Sequence, residues 1–113
     1  MKEIKAIIQP FMLEQVLHAL AAIEGLPGVT ISEVAGWGKA RATDAANTVQ
    51  QGGHALAKKT KLEIVVGDDL AQRVEQAIAE AAHTGRPGDG KILVYEVRRV
   101  VKIRTGESGD AAI

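Results

Sequence analysis

The sequence predicts an α+β sandwich built from two β-α-β units, and three observations predict it. Alternating apolar runs give way to helix-period stripes and then to alternation again, twice along the chain. Each stripe is apolar on one side only, so each helix has one face to bury. A single long stretch without any period separates the two units. Two successive units of this length fit the ferredoxin-like βαββαβ sandwich, with a four-stranded antiparallel sheet carrying both helices on one face.

The first strand is "KEIKAIIQ", with Ile4, Ala6 and Ile8 on one side. In "FMLEQVLHALAAIEG", Leu13, Val16, Leu17, Leu20 and Ile23 fall at helical spacing, and Gly25 is a stop signal. "VTISEVAG" alternates again through Val29 and Ile31, with Val34 apolar in the other phase. The second unit runs from the strand "KLEIVV" through an N-cap at Asp68 or Asp69 into the helix "LAQRVEQAIAEAAH". Leu70, Val74, Ala77, Ile78 and Ala81 form its stripe. The closing strand "KILVYEVRRV" is apolar in both phases, Ile92 and Val94 against Leu93, Tyr95 and Val97. That pattern predicts a sheet buried on both sides, most simply in an oligomer.

Composition narrows the function. The chain has 113 residues, one domain's worth, and 14 basic residues balance 14 acidic ones. Zero net charge argues against a general nucleic-acid binder, which needs positive charge to displace counterions. Phe11, Trp37 and Tyr95 are the only aromatics, too few for base-stacking platforms. Without cysteine there is no disulfide or thiolate metal site. No signal-peptide core and no membrane-length apolar run are visible, so a cytoplasmic protein without membrane insertion is expected.

Between the units lies Gly36–Lys59, "GWGKARATDAANTVQQGGHALAKK", expected to be a long loop. Structureless connections of more than about 15 residues are uncommon in compact domains unless functional or disordered. "GWGKAR" favours function, because it places Trp37, a residue type enriched where partners dock, beside two cations.

"TGRPGDGK" reads G-x-x-x-x-G-K from Gly85, the spacing of a Walker A loop. A Walker A loop follows a strand and opens a helix, whereas this segment follows a helix and opens a strand. Ile92 also replaces the Ser or Thr that would hold magnesium. Hydrolysis by that mechanism is excluded. A plain helix–strand turn would account for Gly85 and "PGDG", but the density of glycines also suits close backbone approach to an anion. Lys102 and Arg104, two residues apart in an expected extended segment, share a face there. With Lys91, Arg86 and Lys39 they carry enough charge to neutralise a di- or triphosphate. His18, His54 and His83 lack metal-ligand spacing, and no nucleophile–base set suggests catalysis.

Five stretches together resemble the PII nitrogen-regulatory signal-transduction family: "AIIQPFMLEQVLHAL", "ISEVAGWGKA", "KLEIVV", "TGRPGDGKILVYEV" and "IRTGESGDAAI". The resemblance covers the whole chain as a single domain, 1–113. It implies a non-enzymatic homotrimer that binds ATP, ADP or AMP in clefts between subunits. A T-loop, here about 37–58, would engage a transporter, channel or metabolic enzyme. The segment at about 83–91, with Thr84 and Arg86, resembles the B-loop that wraps the phosphates. Gly88, Asp89, Gly90 and Lys91 would line the phosphate pocket, and Lys102 and Arg104 would reach it from the C-terminal segment, about 102–113. Gly36, Trp37, Gly38 and Lys39 would lie at the T-loop base, and Gly28, Thr30, Glu63 and Val65 near adenine or ribose. Lys39, Lys59 and Arg104 would meet a small anionic effector. No metal ligand set and no catalytic cofactor is implied.

Departures from the family pattern bear on regulation. The only tyrosine is Tyr95, in a strand, so the usual T-loop tyrosine is absent, and no serine lies in the loop. Ala40 stands where the family usually has a glutamine that helps hold magnesium and 2-oxoglutarate, and a methyl group can do neither. Lys102 replaces a customary arginine, exchanging a fork for a point charge. Leu93 sits where an aromatic is usual. These changes make a bicarbonate-responsive PII-like regulator of inorganic-carbon uptake, binding ADP or AMP, an alternative to 2-oxoglutarate sensing. A small enzyme using Asp89 or Glu63 as base, and a constitutive interaction module, are the readings from other classes.

Overall fold

The computed structural model describes residues 1–39, the backbone of 48–51, and 54–113. The strands are β1 (Lys2–Ile8), β2 (Thr30–Lys39), β3 (Thr48–Gln51), β4 (His54–Val66) and β5 (Gly90–Glu96). The helices are α1 (Leu13–Ala21) and α2 (Asp68–Ala82), with 3-10 turns at Pro10–Met12 and Asp110–Ala112. An antiparallel sheet runs in the order β2-β4-β1-β5, and the short β3 pairs with the outer part of β4. The ferredoxin-like α+β architecture is the one the repeats predict.

Alternation in β1 and β4 builds the core. Ile4 pairs with Ile64 on one side and Val94 on the other, so one face of the central strands is a continuous aliphatic surface. Val16 and Leu20 from α1, with Val74 and Ile78 from α2, close over it. Fully burying such side chains stabilises the fold by roughly 1.5–3 kcal/mol each. The opposite face carries Glu3, Lys5, Lys61, Glu63, Leu93 and Tyr95. There Lys61 and Glu63 pair at 3.6 Å, and the Lys5 ammonium lies 5.0 Å from the Tyr95 ring centroid. Tyr95 and Val94, on opposite faces of the edge strand β5, are both exposed in the single chain.

Four expectations need correction. First, the stretch expected to be a loop is strand at both ends, with Gly36, Trp37, Gly38 and Lys39 pairing with Ala57, Leu56, Ala55 and His54. Backbone hydrogen bonds form this arm, and glycine and alanine write no apolar alternation into the sequence. Ala40 and the rest of 40–47, with 52–53, lie outside the described residues. Second, neither Asp68 nor Asp69 caps α2. Gly67 is the N-cap, and the Asp68 carboxylate turns to Lys2 at 2.9 Å. A Cβ on Gly67 would lie 2.6 Å from the Asp69 carboxylate, so the glycine makes room for that side chain.

Third, β5 stops at Glu96 instead of continuing to Val100. Its partner β1 runs out there, Lys2 opposite Glu96 being the last register pair. Fourth, Lys102 and Arg104 do not share an extended segment. The chain turns back, with the Lys102 N–H donating to the Glu107 carbonyl at 2.8 Å and the Gly106 N–H to the Lys102 carbonyl at 2.8 Å.

Candidate functional site

The connection from α2 to β5 closes on itself through one carboxylate. The backbone N–H groups of Thr84 and Gly85 donate to Asp89 Oδ2 at 2.8 and 2.9 Å, and the Thr84 hydroxyl donates to Asp89 Oδ1. The Arg86 N–H donates to Thr84 Oγ1 at 3.2 Å. The Thr84 hydroxyl foremost, then the Thr84 and Gly85 amides, hold the Asp89 carboxyl below the usual carboxylate range, because each donor favours the anion. The tightest constraint is at Gly90, whose φ is +103°. A Cβ there would meet the Ile7 carbonyl oxygen at 1.7 Å, so only glycine lets the end of β1 and the start of β5 approach.

This loop faces the base of the β2–β4 arm. Gly36 and Gly38 stand opposite Ala57 and Ala55, so that face of the arm carries nothing larger than a methyl group at those four positions. Between arm and loop lies an open cavity of about 510 Å³, lined by Gly36–Lys39, Ala55, Ala57, Lys59, Arg86 and Gly88–Lys91, with Ile7 at its floor. Its size lies within the usual range of small-molecule sites, roughly 300–1,000 Å³. The Lys59 ammonium donates to the Gly88 carbonyl at 3.1 Å and ties arm to loop. Among the described residues, four cations, Lys39, Lys59, Arg86 and Lys91, border this space, and the one acid there, Asp89, is engaged by the loop's own donors.

Gly28, Thr30, Glu63 and Val65 gather elsewhere. They line a separate hollow of about 390 Å³ on the sheet face away from the helices, with Glu3, Pro27, Val100, Ala112 and Ile113. Sequence reasoning missed the last two. The 3-10 turn at Asp110–Ala112 buries Ala112 and brings the C-terminal residues onto the sheet, and no periodicity in "GESGDAAI" signals that. Lys102 and Arg104 line neither space. Lys102 lies 3.8 Å from Glu107, and Arg104 is exposed in the turn. Within one chain, then, the loop and arm residues form one group, Gly28, Thr30, Glu63 and Val65 form another, and Lys102 and Arg104 join neither.

Trp37 was expected at the arm's base, and it is there, exposed. Its ring stacks on His54 with centroids 4.3 Å apart and planes 9° from parallel, a diagonal cross-strand pair on the outer face of the arm. The signal for that pairing lies in register, which the sequence alone does not display.

Residues 1–107 match the family model described as Nitrogen regulatory protein P-II. The chain belongs to that family. It is 45% identical to the Nitrogen regulatory protein P-II of Bradyrhizobium diazoefficiens, and 44% identical to those of Azospirillum brasilense and, as P-II 1, Escherichia coli K12. Each of these alignments covers 100% of both chains. Among solved structures, Arabidopsis thaliana PII bound to citrate superposes with a TM-score of 0.78 at 38% identity, covering 99% of this chain and 91% of that one. The chain is therefore a PII-family signal-transduction regulator, of a family that works through target proteins and not as enzymes. Among the described residues no helix is long and apolar enough to cross a membrane.

Proposed function

We propose that the chain is a homotrimeric sensor that binds ATP, ADP or AMP between subunits and controls a target protein through the Gly36–Lys59 arm. The observation that carries this reading is the cavity between arm and loop. Its small-residue wall lets a ligand approach the backbone, and among the described residues its rim supplies four cations and a single carboxylate that is already engaged. Polyanion recognition needs such a surplus of donors over acceptors. The hollow lined by Gly28, Thr30, Glu63 and Val65 supports the trimer. It lies on the sheet face left open in one chain, where a neighbouring subunit's phosphate cavity would complete it as an adenine or ribose site. Lys102 and Arg104, which line neither of these spaces in their own chain, would serve the neighbour's.

Signalling follows from the tether between Lys59 and Gly88. A ligand that changes the loop changes what holds the arm, and only differential contacts with the two arm states can shift their populations. Tyr95 lies in β5 opposite Glu3, remote from the arm, which supports control without tyrosine nucleotidylation. Ala40 favours a small-anion effector such as bicarbonate with ADP or AMP over magnesium and 2-oxoglutarate. A related PII is known with citrate bound, an organic anion. The test is calorimetry with AMP, ADP and ATP, each alone, with bicarbonate, and with 2-oxoglutarate. Nucleotide binding lost in Lys91→Ala supports the reading, and no binding by the wild type ends it. Bicarbonate-strengthened ADP or AMP binding selects the inorganic-carbon branch, whereas 2-oxoglutarate-strengthened magnesium-ATP binding overturns the inference from Ala40.

A further inference from the structure

We propose that Asp89 is a positioning residue, an internal anion that fills the amide nest at Thr84 and Gly85 and so presets the phosphate-facing half of the loop. This rests on the nucleotide-site reading above, but assigns Asp89 a role other than ligand. A carboxylate beside a polyphosphate is repulsive unless its charge is spoken for. Here both oxygens accept hydrogen bonds from the start of the same loop, so the donors nearest α2 are spent before any ligand arrives. The Arg86 N–H is likewise turned to the Thr84 hydroxyl. What remains for a phosphate is the segment from Gly88 to Lys91, and its path is bounded on both sides. Asp89 holds it to the end of α2, and Gly90 holds it against the Ile7 carbonyl. Preorganisation of this kind raises affinity by removing the ordering cost at the moment of binding.

Removing the carboxylate from its nest leaves the amide donors able to take an external one of the same shape. The experiment uses the 15N-labelled full-length protein, as wild type and as Asp89→Ala, with formate as the external carboxylate and sodium chloride at matched ionic strength as control. Asp89→Ala is expected to bind ADP roughly tenfold or more weakly, the scale of a lost charged hydrogen-bond set. Formate should shift the Thr84 and Gly85 amide resonances saturably and recover most of the affinity, while chloride does neither. A purely structural lesion would not be rescued by formate. Unchanged or tighter ADP binding by Asp89→Ala overturns the proposal, as does a loss that formate leaves unrepaired. Should Asp89→Ala not fold, Asp89→Asn keeps one acceptor and shape. It should then bind with an intermediate loss, and full wild-type affinity would overturn the role. The formate titration of the nest needs no nucleotide, so absence of ADP binding by the wild type would end the nucleotide reading and leave this one to be decided on the amide shifts.

Discussion

The two halves of β4 are one continuous strand built on opposite principles. From Thr60 to Val66 it pairs with β1, and Leu62, Ile64 and Val66 pack beneath the helices. From His54 to Ala57 it pairs with β2 and β3, and the residues buried are Ala55 and Ala57, on the other face of the strand. Side-chain volume holds the first half, which β2 also flanks as far as Glu63, while the second half buries only methyl groups between β2 and β3. The difference divides labour: the half with aliphatic bulk is committed to the core, and the half with methyl groups lines the cavity beside the loop. A single strand can thus anchor the fold at one end and line the candidate site at the other.

Substitutions at the two ends should separate these principles. The largest effect is expected in the core half, where Ile64→Ala removes a side chain that is 1% exposed. It should lower stability by about 2–5 kcal/mol in denaturant titration, through lost burial plus a cavity. Ligand affinity, measured where the protein remains folded, should stay near wild type. An equal loss of affinity would mean the two halves are one unit.

Next comes Gly90→Ala, at the junction of β1 with the loop. The new Cβ has no space beside the Ile7 carbonyl, and the positive φ adds strain of roughly 1–3 kcal/mol. Both stability and nucleotide binding should fall, and wild-type calorimetry for this variant would remove Gly90 from the site. Lys59→Met keeps the aliphatic stem but cuts the bond to Gly88. It should cost only about 1 kcal/mol globally. Amide exchange across 84–89 should nevertheless rise, which reads the coupling of arm to loop directly.

Trp37→Ala should be milder still, within about 0.5–1.5 kcal/mol, because the stack with His54 is exposed. Target binding should suffer more than nucleotide binding if the outer face of the arm is where partners dock. The smallest change is expected on acidification. Asp89 titrates below its ordinary value of 3.8, so the loop contacts it makes are complete above that value and are lost as pH falls through the depressed folded value. The Gly85 amide resonance should report this transition at a pH below that of a free aspartate. A midpoint at or above the ordinary value would contradict the hydrogen-bonded carboxylate.

Legibility in the sequence follows the same division. Ile4, Leu62 and Ile78 were readable because burial on one face imposes a period, and the period survives in the residue order. Gly38, Ala55 and Ala57 are not readable as strand, since their pairing depends on backbone groups that every residue possesses. The glycines and Lys91 marked the loop between α2 and β5 as a candidate site, but the engagement of Asp89 by Thr84 leaves no such mark. An aspartate between glycines a few residues after a threonine is the trace it left, a pattern in which side-chain oxygens take backbone donors. The cap at Gly67 escaped for a related reason. Asp68 looked like a cap by local preference, and a distant lysine won its carboxylate.

By itself the sequence determined the architecture, the family, and the absence of a Walker A site, because periodicity, motif spacing and order of elements are properties of the chain. Only the tertiary structure decided that the arm is paired at its base, that Asp89 serves its own loop, and that the candidate ligand residues do not converge within one chain. Those outcomes hang on register and on competition for hydrogen-bond donors between residues far apart in the chain, and neither is written in local order.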